Sequence, residues 1–206
     1  NRYSIHACKA AIQACVEHQI NEITFTCWGD DGAEASLFAI LPTLFTNANE
    51  IYGNHMSESC FKVLTGIPIN TFLVIDKVNP CTKDGFTHNN ASKYFLYNDL
   101  LQGTFDSVAQ PLMIHEIQSV LPKISNISIE KSDLSYYFKT VQSLIAVLEL
   151  KLNLGNEIYH AYKHNDLQAF DKIVNQILPE LIKRIETFYD AFKRQWHLEN
   201  RNQGFE

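Results

Sequence analysis

Apolar residues recur at three- and four-residue intervals along most of this chain, which is the spacing of amphipathic α-helices. The pattern predicts a first helix over 4–18, with Ser4 as its N-terminal cap. Further helices are predicted near 57–65, 69–76, 91–100, 104–121, 132–164, 166–176 and 178–200. The longest apolar stripes, in 132–164 and 178–192, predict two bundle helices that pack antiparallel, with Asp166 capping the helix between them.

One short segment departs from this helical pattern. Residues 22–27 are rich in β-branched and aromatic side chains, as a strand should be, and Gly29 and Gly32 allow the tight loop that follows. A strongly apolar helix is predicted from about residue 33, with Pro42 at a kink or at a restart of the helix. The predicted order is therefore helix, strand, loop and helix.

A single parallel-type strand cannot satisfy its own backbone hydrogen bonds and needs neighbouring strands. Because the chain starts at Asn1, inside an amphipathic pattern, we expect those strands to lie upstream in a longer parent protein. The predicted fold class is mainly α. Residues 1–52 are expected to form a residual βα segment, the last helix-strand-helix part of a TIM-type (β/α)8 barrel, and residues 53–206 a helical bundle domain.

Composition excludes several classes of function. Of the 206 residues, 46% are hydrophobic and 19% are charged, as in an ordinary globular protein. The formal net charge of -6 argues against a nucleic-acid partner, and no apolar run approaches the ~18 residues of a membrane span. Five cysteines without C-x-x-C spacing predict buried, reduced thiols, which favours the cytoplasm: Cys8, Cys15, Cys27, Cys60 and Cys81.

Candidate chemistry is concentrated in the segment after the predicted strand. Trp28 lies just past the strand's end, where residues of an α/β barrel face the active-site mouth, and its indole offers a flat wall for a pyranose ring. Asp30 and Asp31 can accept charge-assisted hydrogen bonds from sugar hydroxyls. The alternatives are a tryptophan packed under the loop and aspartates that form a turn or favour a helix N-terminus. The Gly-Asp-Asp-Gly context favours sugar binding.

The neighbouring polar groups predict supporting roles and neither a metal nor a cofactor. Glu34 falls in the first turn of the next helix and, with Gly29 and Gly32, is predicted to support the sugar-binding loop. The carboxylates of this segment lack the spacing of a calcium loop. His160 and His164 are four residues apart but lack the H-E-x-x-H pattern, so we interpret them as a solvated pair at a helix end.

Three further segments are interpreted as structural. The mixed aromatic and polar clusters at 95–99 and 196–200 are interpreted as helix surface plus core aromatic side chains. Turn-forming residues in 79–90 predict a loop.

Four stretches of sequence, taken together, share a pattern with one known family. They are Cys27-Trp-Gly-Asp-Asp-Gly-Ala-Glu-Ala-Ser-Leu-Phe-Ala-Ile-Leu-Pro-Thr-Leu44, Ser92-Lys-Tyr-Phe-Leu-Tyr-Asn-Asp99 with Phe105-Asp106, Val147-Leu-Glu-Leu-Lys-Leu-Asn-Leu-Gly155, and Phe192 to Glu206. These stretches resemble the C-terminal part of bacterial β-N-acetylhexosaminidases of glycoside hydrolase family 20, in the group with a helical domain after the barrel. The resemblance spans nearly the whole chain.

The resemblance implies a retaining glycosidase that removes terminal N-acetylglucosamine or N-acetylgalactosamine from an oligosaccharide by substrate assistance. In that family the substrate's acetamido oxygen attacks the anomeric carbon, an Asp orients the acetamide, and the adjacent Glu is the general acid/base. The Asp-Glu pair belongs to an earlier barrel strand and is not in this chain. The family's last-strand Trp-x-Glu motif corresponds here to Trp28 and Asp30, and the shorter Asp leaves Asp31 as an alternative for the hydroxyl contact.

The expected activity therefore belongs to the parent enzyme, and this chain alone is expected to be inactive. A competing hypothesis is that the helical domain is an interaction module that dimerises the parent or supports its barrel; a homodimer is expected. A third, weaker interpretation is an all-α binding protein in which the Trp28 segment is only a turn.

Overall fold

The computed structural model describes residues 1–27, 35–53, 56–79, 91–106, 111–125 and 132–205. The chain divides into two compact units. Unit 1 consists of Asn1–Asp76 with Ile129–Ser135, and unit 2 consists of Lys77–Ser128 with Tyr136–Glu206. The described residues are mainly helical and contain no strand, which confirms the predicted mainly α class.

The helices follow the predicted order along the chain. Short 3-10 turns cover Leu37–Ile40 and Val74–Val78, and a π-helical turn covers Ile173–Ile177. The α-helices are α1 Arg2–Glu17, α2 Leu41–Tyr52, α3 Glu58–Thr65, α4 Ile69–Leu73, α5 Ala91–Tyr97, α6 Pro111–Ser125, α7 Ser135–Lys151, α8 Leu154–Lys163, α9 Leu167–Lys172 and α10 Leu178–Glu199.

Unit 1 has a small aromatic core. The ring of Phe61 in α3 makes edge contacts with Phe45 in α2 and Phe72 in α4, with ring centroids 5.3 and 5.9 Å apart. Phe61 and Phe72 are fully buried. Gly66 ends α3 with a φ of 75°, a left-handed conformation that glycine adopts without strain. The three phenylalanine rings, one on each helix, pack α3 against α2 and α4.

The start of α1 is held by a group distant in sequence. Both oxygens of Asp76 accept hydrogen bonds there, one from the Asn1 amide at 3.1 Å and one from the Arg2 backbone N–H at 2.8 Å. The predicted cap at Ser4 is therefore wrong, because the helix begins two residues earlier and the carboxylate of Asp76 satisfies its first N–H group. Local sequence cannot show a capping group that is more than 70 positions away.

Unit 2 is a helical bundle with a core between α7, α8, the π-helical turn and α10. Each of these elements contributes one residue to a buried apolar cluster: Val147, Leu154, Ile173 and Leu181. Phe138, Ile145 and Leu148 of the predicted stripe on α7 are also fully buried. The stripe spacing of three and four residues thus predicted the core face of α7 correctly.

Two hydrogen-bonded contacts fix the direction of α10 against α7. The Thr140 hydroxyl donates to the Ala191 carbonyl at 3.2 Å, near one end of the pair. Toward the other end, Arg184 donates to the Ala146 carbonyl at 2.7 Å and to the Glu149 carboxylate at 2.6 Å. Residues with higher numbers in α7 thus contact residues with lower numbers in α10, so the two helices are antiparallel, as the sequence predicted.

Other predicted features differ from the structure or are refined by it. The strand predicted at 22–27 is not shown, because these residues have no regular structure. The described part of the chain contains no strand that could form backbone hydrogen bonds with them. The predicted long helix at 132–164 is two helices, since α7 ends at Lys151 and α8 begins at Leu154. Pro42 lies in the first turn of α2, where its missing N–H costs nothing, so the helix restarts there.

The predicted cap of the helix after α8 is confirmed. The Asp166 carboxylate accepts a hydrogen bond from the Ala169 N–H at 3.0 Å. Replacing Asp166 by alanine is expected to lower the free energy of unfolding by about 1 kcal/mol, because this helical N–H loses its acceptor. Urea denaturation of the chain measures the change, and Asp166→Asn is the matched control because asparagine also caps. Equal losses from both substitutions would contradict the capping role.

Among the described residues, no single helix has both the length and the apolar character needed to cross a membrane. The segments Glu58–Thr65 and Ile69–Val78, which are bent by 79° relative to each other, are long and apolar enough only when taken together, by length and composition alone.

Candidate functional site

The residues that the sequence predicts as a sugar subsite lie outside the described part of the chain. They are Trp28, Gly29, Asp30, Asp31, Gly32 and Glu34. The predicted loop at 79–90 lies outside the described residues as well, except for Asn79. The sugar-binding role of the Trp28 segment therefore stays a prediction.

In unit 2, two of the resembling stretches, 92–99 with 105–106 and 147–155, meet at one polar cluster around Asp106. Asn98, at the end of α5, donates its amide to Oδ1 of Asp106 at 2.7 Å and accepts the Phe105 N–H at 3.0 Å. Asn156 in α8 donates to the Asp106 backbone carbonyl at 3.2 Å. The Asn98 side chain is only 6% exposed, so a polar group is buried here with both of its ends hydrogen-bonded.

Lys151, the last residue of α7, provides the positive charge of this cluster. Its ammonium donates to the Phe95 carbonyl at 3.2 Å and to the Asn98 carbonyl at 2.5 Å, which caps the C-terminal end of α5. Burial lowers the pKa of Lys151, while the negative charges of Asp99 and Asp106 act in the opposite direction. The lysine therefore joins α5 to α7 and partly balances the carboxylates.

Two glycines make room for the Asp106 carboxylate. A Cβ atom built on Gly155 would lie 2.5 Å from Oδ1 of Asp106, and one built on Gly103 would lie 2.6 Å from Oδ2. Gly103 also has a φ of 60°, which side chains other than glycine rarely adopt. The loop after α5 and the first turn of α8 can thus approach the carboxylate closely only because both positions lack side chains.

Removing the lysine tests whether this cluster stabilises unit 2. Lys151→Met is expected to lower the free energy of unfolding by about 1–3 kcal/mol, because two carbonyls lose their donor and Asp106 loses a nearby cation. Urea denaturation measures the loss, and Lys139→Met, at an exposed position of the same helix, is the control with the same change of charge. A Lys151→Met protein as stable as the wild type would exclude this role.

Beside this cluster lies a cavity of about 470 Å³, which we call the Asp106 pocket. It lies against the loop after α5, α8 from its first to its last turn, and Phe170 of α9. Its polar lining consists of Gln102, Asp106 and Asn156, and two tyrosines of α8, Tyr159 and Tyr162, form part of its wall. Carboxylate and amide oxygens next to exposed aromatic rings can bind a small polar molecule that has one apolar face.

A second, larger groove of about 1010 Å³ lies between α5 and α10, and we call it the aromatic groove. The rings of Phe188 and Phe192 stack at 5.9 Å along one side of it. Phe205, near the chain's end, packs within 6.1 Å of four rings of α10, centroid to centroid: Tyr189, Phe192, Trp196 and His197. The predicted cluster at 196–200 is thus held by ring contacts, as the structural interpretation expected.

The histidine pair at the end of α8 has the surroundings that the sequence predicted. His160 and His164 are both exposed, and Nδ1 of His164 lies 2.9 Å from the His160 carbonyl. Within the described ranges, no three His, Cys, Asp or Glu side chains are grouped as metal ligands would be.

Sequence reasoning missed the Asp106 cluster. It interpreted 95–99 as helix surface plus core aromatics, which holds for the buried Phe95 and the exposed Tyr97 but not for the buried Asn98. Asn98 lies eight positions before Asp106, whereas Asn156 lies 50 positions after it, so the partners show no fixed spacing. One available signal was Gly155, a glycine inside the predicted helix 132–164, since a glycine kept at such a position usually has a packing or functional reason.

With this geometry in view, comparison with known families gives a direct result. Residues 70–206 match the family described as the Glycoside Hydrolase 20C C-terminal domain, and because this is more than half of the chain, the chain belongs to that family. A comparison with curated proteins finds no match. The match includes the Asp106 cluster, the Asp106 pocket and the aromatic groove, and it ends at the last residue of the sequence.

Membership of this family confirms the predicted resemblance to the C-terminal part of a family 20 glycoside hydrolase. It supports a glycoside hydrolase as the parent protein and glycans that contain hexosamine as the class of substrate. The match begins at residue 70, so the Trp28 segment lies outside it.

Proposed function

We propose that this chain is the C-terminal part of a retaining exo-β-N-acetylhexosaminidase of bacterial, cytoplasmic origin. The parent removes terminal N-acetylglucosamine or N-acetylgalactosamine from oligosaccharides by substrate-assisted hydrolysis. The observation that supports this is the family match over 70–206, together with the resemblance of 27–44 to the end of the family's barrel.

In this proposal the chain contributes to substrate binding and not to bond cleavage. The indole of Trp28 forms the apolar wall against which the N-acetyl sugar stacks. Asp30, or Asp31 in its place, accepts hydrogen bonds from the outer hydroxyls of that sugar. Glu34, Gly29 and Gly32 shape and orient the loop. The acetamide-orienting Asp and the acid/base Glu come from an earlier part of the parent.

We further propose that the 206-residue chain alone has no hydrolase activity. Its sequence contains no adjacent Asp-Glu pair, so neither acetamide orientation nor protonation of the leaving group has its family residue. A chromogenic aryl N-acetyl-β-glucosaminide should therefore be stable in the presence of the pure chain. Hydrolysis of the same substrate by the full-length parent is the positive control, and turnover by the purified chain would contradict the proposal.

An alternative role for the helical domain is homodimerisation of the parent. The aromatic groove favours it, because Tyr97 and Tyr189 are 65% and 51% exposed and lie beside partly buried phenylalanines. Size-exclusion chromatography with light scattering on the chain tests this role. A dimer that Tyr97→Asp or Tyr189→Asp converts to a monomer would support it, and a monomeric wild type at high protein concentration would exclude self-association through this domain.

A further inference from the structure

The Asp106 pocket has the mixed lining of a site for small polar ligands. Its volume of about 470 Å³ falls within the range of known small-molecule sites, about 300–1,000 Å³. Its lining includes hydrogen-bonding groups of Gln102, Asp106 and Asn156. It also includes Tyr159 and Tyr162, which are 57% and 74% exposed, so their rings are accessible to a ligand.

The charges around the pocket favour a neutral ligand. Among the described lining residues there is no lysine, arginine or histidine. The ammonium of Lys163 lies near the pocket, but it is placed over the Tyr159 ring, 6.0 Å from its centroid. The carboxylate of Asp106 already has the Asn98 amide at 2.7 Å and the charge of Lys151 beside it. Because Lys151 balances the charge of Asp106, neither a cationic nor an anionic ligand gains a strong net attraction to it.

The hydrogen-bonding capacity of the pocket favours a ligand with several hydroxyl or amide groups. The Asn156 amide N–H₂ is used within the protein, by the Asp106 carbonyl and the Asn153 side chain, so what this lining residue offers to a ligand is its amide oxygen, an acceptor. Gln102 is exposed and offers both a donor and an acceptor. The tyrosine rings add an apolar surface that can lie against the C–H face of a sugar ring.

We propose that the Asp106 pocket binds a neutral pyranose sugar, as a mono- or disaccharide unit of a glycan. This site is separate in sequence from the predicted subsite at Trp28 and has no residue in common with it. The use of a sugar with N-acetyl groups as the probe rests on the proposed function. The inference that the ligand is a neutral sugar rests only on the residues that line the pocket. The helical domain would then hold a second part of the glycan on which the parent acts.

The test is a titration of the whole 206-residue chain with N,N′-diacetylchitobiose, in which heteronuclear NMR measures the binding. Saturable shifts in the millimolar range at Gln102, Asn156, Tyr159 and Tyr162 are expected for the wild type. Tyr162→Ala is expected to weaken binding about fivefold or more through loss of the ring surface, and Gln102→Ala to weaken it similarly. Tyr162→Phe, which keeps the ring, should retain most of the affinity.

Tyr97→Ala is the matched control, because Tyr97 is an exposed tyrosine of the same unit that lines the aromatic groove instead. Absence of saturable binding, equal weakening by Tyr97→Ala, or tighter binding of a glucuronate-containing disaccharide would each overturn the inference. The wild-type shift map does not depend on the folding of any variant. Binding here without hydrolysis by the parent would contradict only the proposed function, and hydrolysis without binding here would contradict only this inference.

Discussion

Replacing Trp28 by alanine in the full-length parent is expected to lower kcat/KM for an aryl N-acetyl-β-glucosaminide roughly fivefold or more. That factor corresponds to about 1 kcal/mol, the scale of one lost aromatic contact with the bound sugar. The loss should be seen in kcat/KM because the contact is present in the transition state but not in the free substrate. The measurement is initial-rate kinetics with wild type and variant side by side.

The second tryptophan of the chain provides the control for this prediction. Trp196 lies on α10, where its indole N–H donates to the Arg201 carbonyl at 3.2 Å and its ring contacts Phe205. Trp196→Ala removes an equal side chain from the helical domain and should leave kcat/KM within about twofold. If Trp28→Ala also stays within about twofold, Trp28 does not form the sugar wall.

Alanine substitutions at Asp30 and Asp31 distinguish the two candidates for the hydroxyl contact. The residue that binds the sugar should lose about 1.5–3 kcal/mol in transition-state binding, since a hydrogen bond to a charged group is removed. Its neighbour, if it serves only the turn, should change stability more than kcat/KM. Equal and small effects on kcat/KM at both positions would exclude a sugar contact by either carboxylate.

The second large effect is expected on stability, from Gly155→Ala. In an ordinary helix position this change is favourable by up to about 1 kcal/mol, because alanine is the better helix former. Here the new Cβ would lie 2.5 Å from Oδ1 and 2.8 Å from Cγ of Asp106. The carboxylate is held by Asn98, so we expect a net loss of about 1–3 kcal/mol in the free energy of unfolding, as in other overpacked sites.

A double-mutant cycle tests the cause of that loss. In an Asp106→Ala background the collision is absent, so Gly155→Ala should be neutral or stabilising, and the coupling free energy between the two sites should reach about 1 kcal/mol or more. Backbone strain does not contribute to the expected loss, because Gly155, unlike Gly53 and Gly103, does not have a positive φ. A Gly155→Ala protein as stable as the wild type would contradict the close approach.

The predictions for Trp28 and for Gly155 depend on different kinds of information. The role of Trp28 follows from a short local motif, whose residue types and order already suggest a sugar wall and a hydroxyl acceptor. The role of Gly155 follows only from the position of Asp106 in space. From the sequence alone, Gly155 could have been assigned to a helix end or a turn, and nothing linked it to a carboxylate 49 positions earlier.

By itself, the sequence determined the helical class, the antiparallel pairing of α7 with α10, the core face of α7 and the cap at Asp166. The helical class, the core face of α7 and the cap at Asp166 depend on residues three or four positions apart, so local sequence is enough to predict them. The antiparallel pairing was predicted from two matching apolar stripes joined by a short connection. The sequence also pointed to the family, which the match over 70–206 confirms.

Only the tertiary structure decided the capping of α1 by Asp76, the break between α7 and α8, and the cluster of Asn98, Asp106 and Lys151. At Asp76 and at Lys151 a polar group is satisfied by a partner more than 50 positions away in sequence. A buried or partly buried polar group must find some partner, but the sequence does not say which one, since that choice depends on how the helices pack. The strand predicted at 22–27 follows the same rule: its residue pattern is local, but a strand forms only where another strand lies beside it.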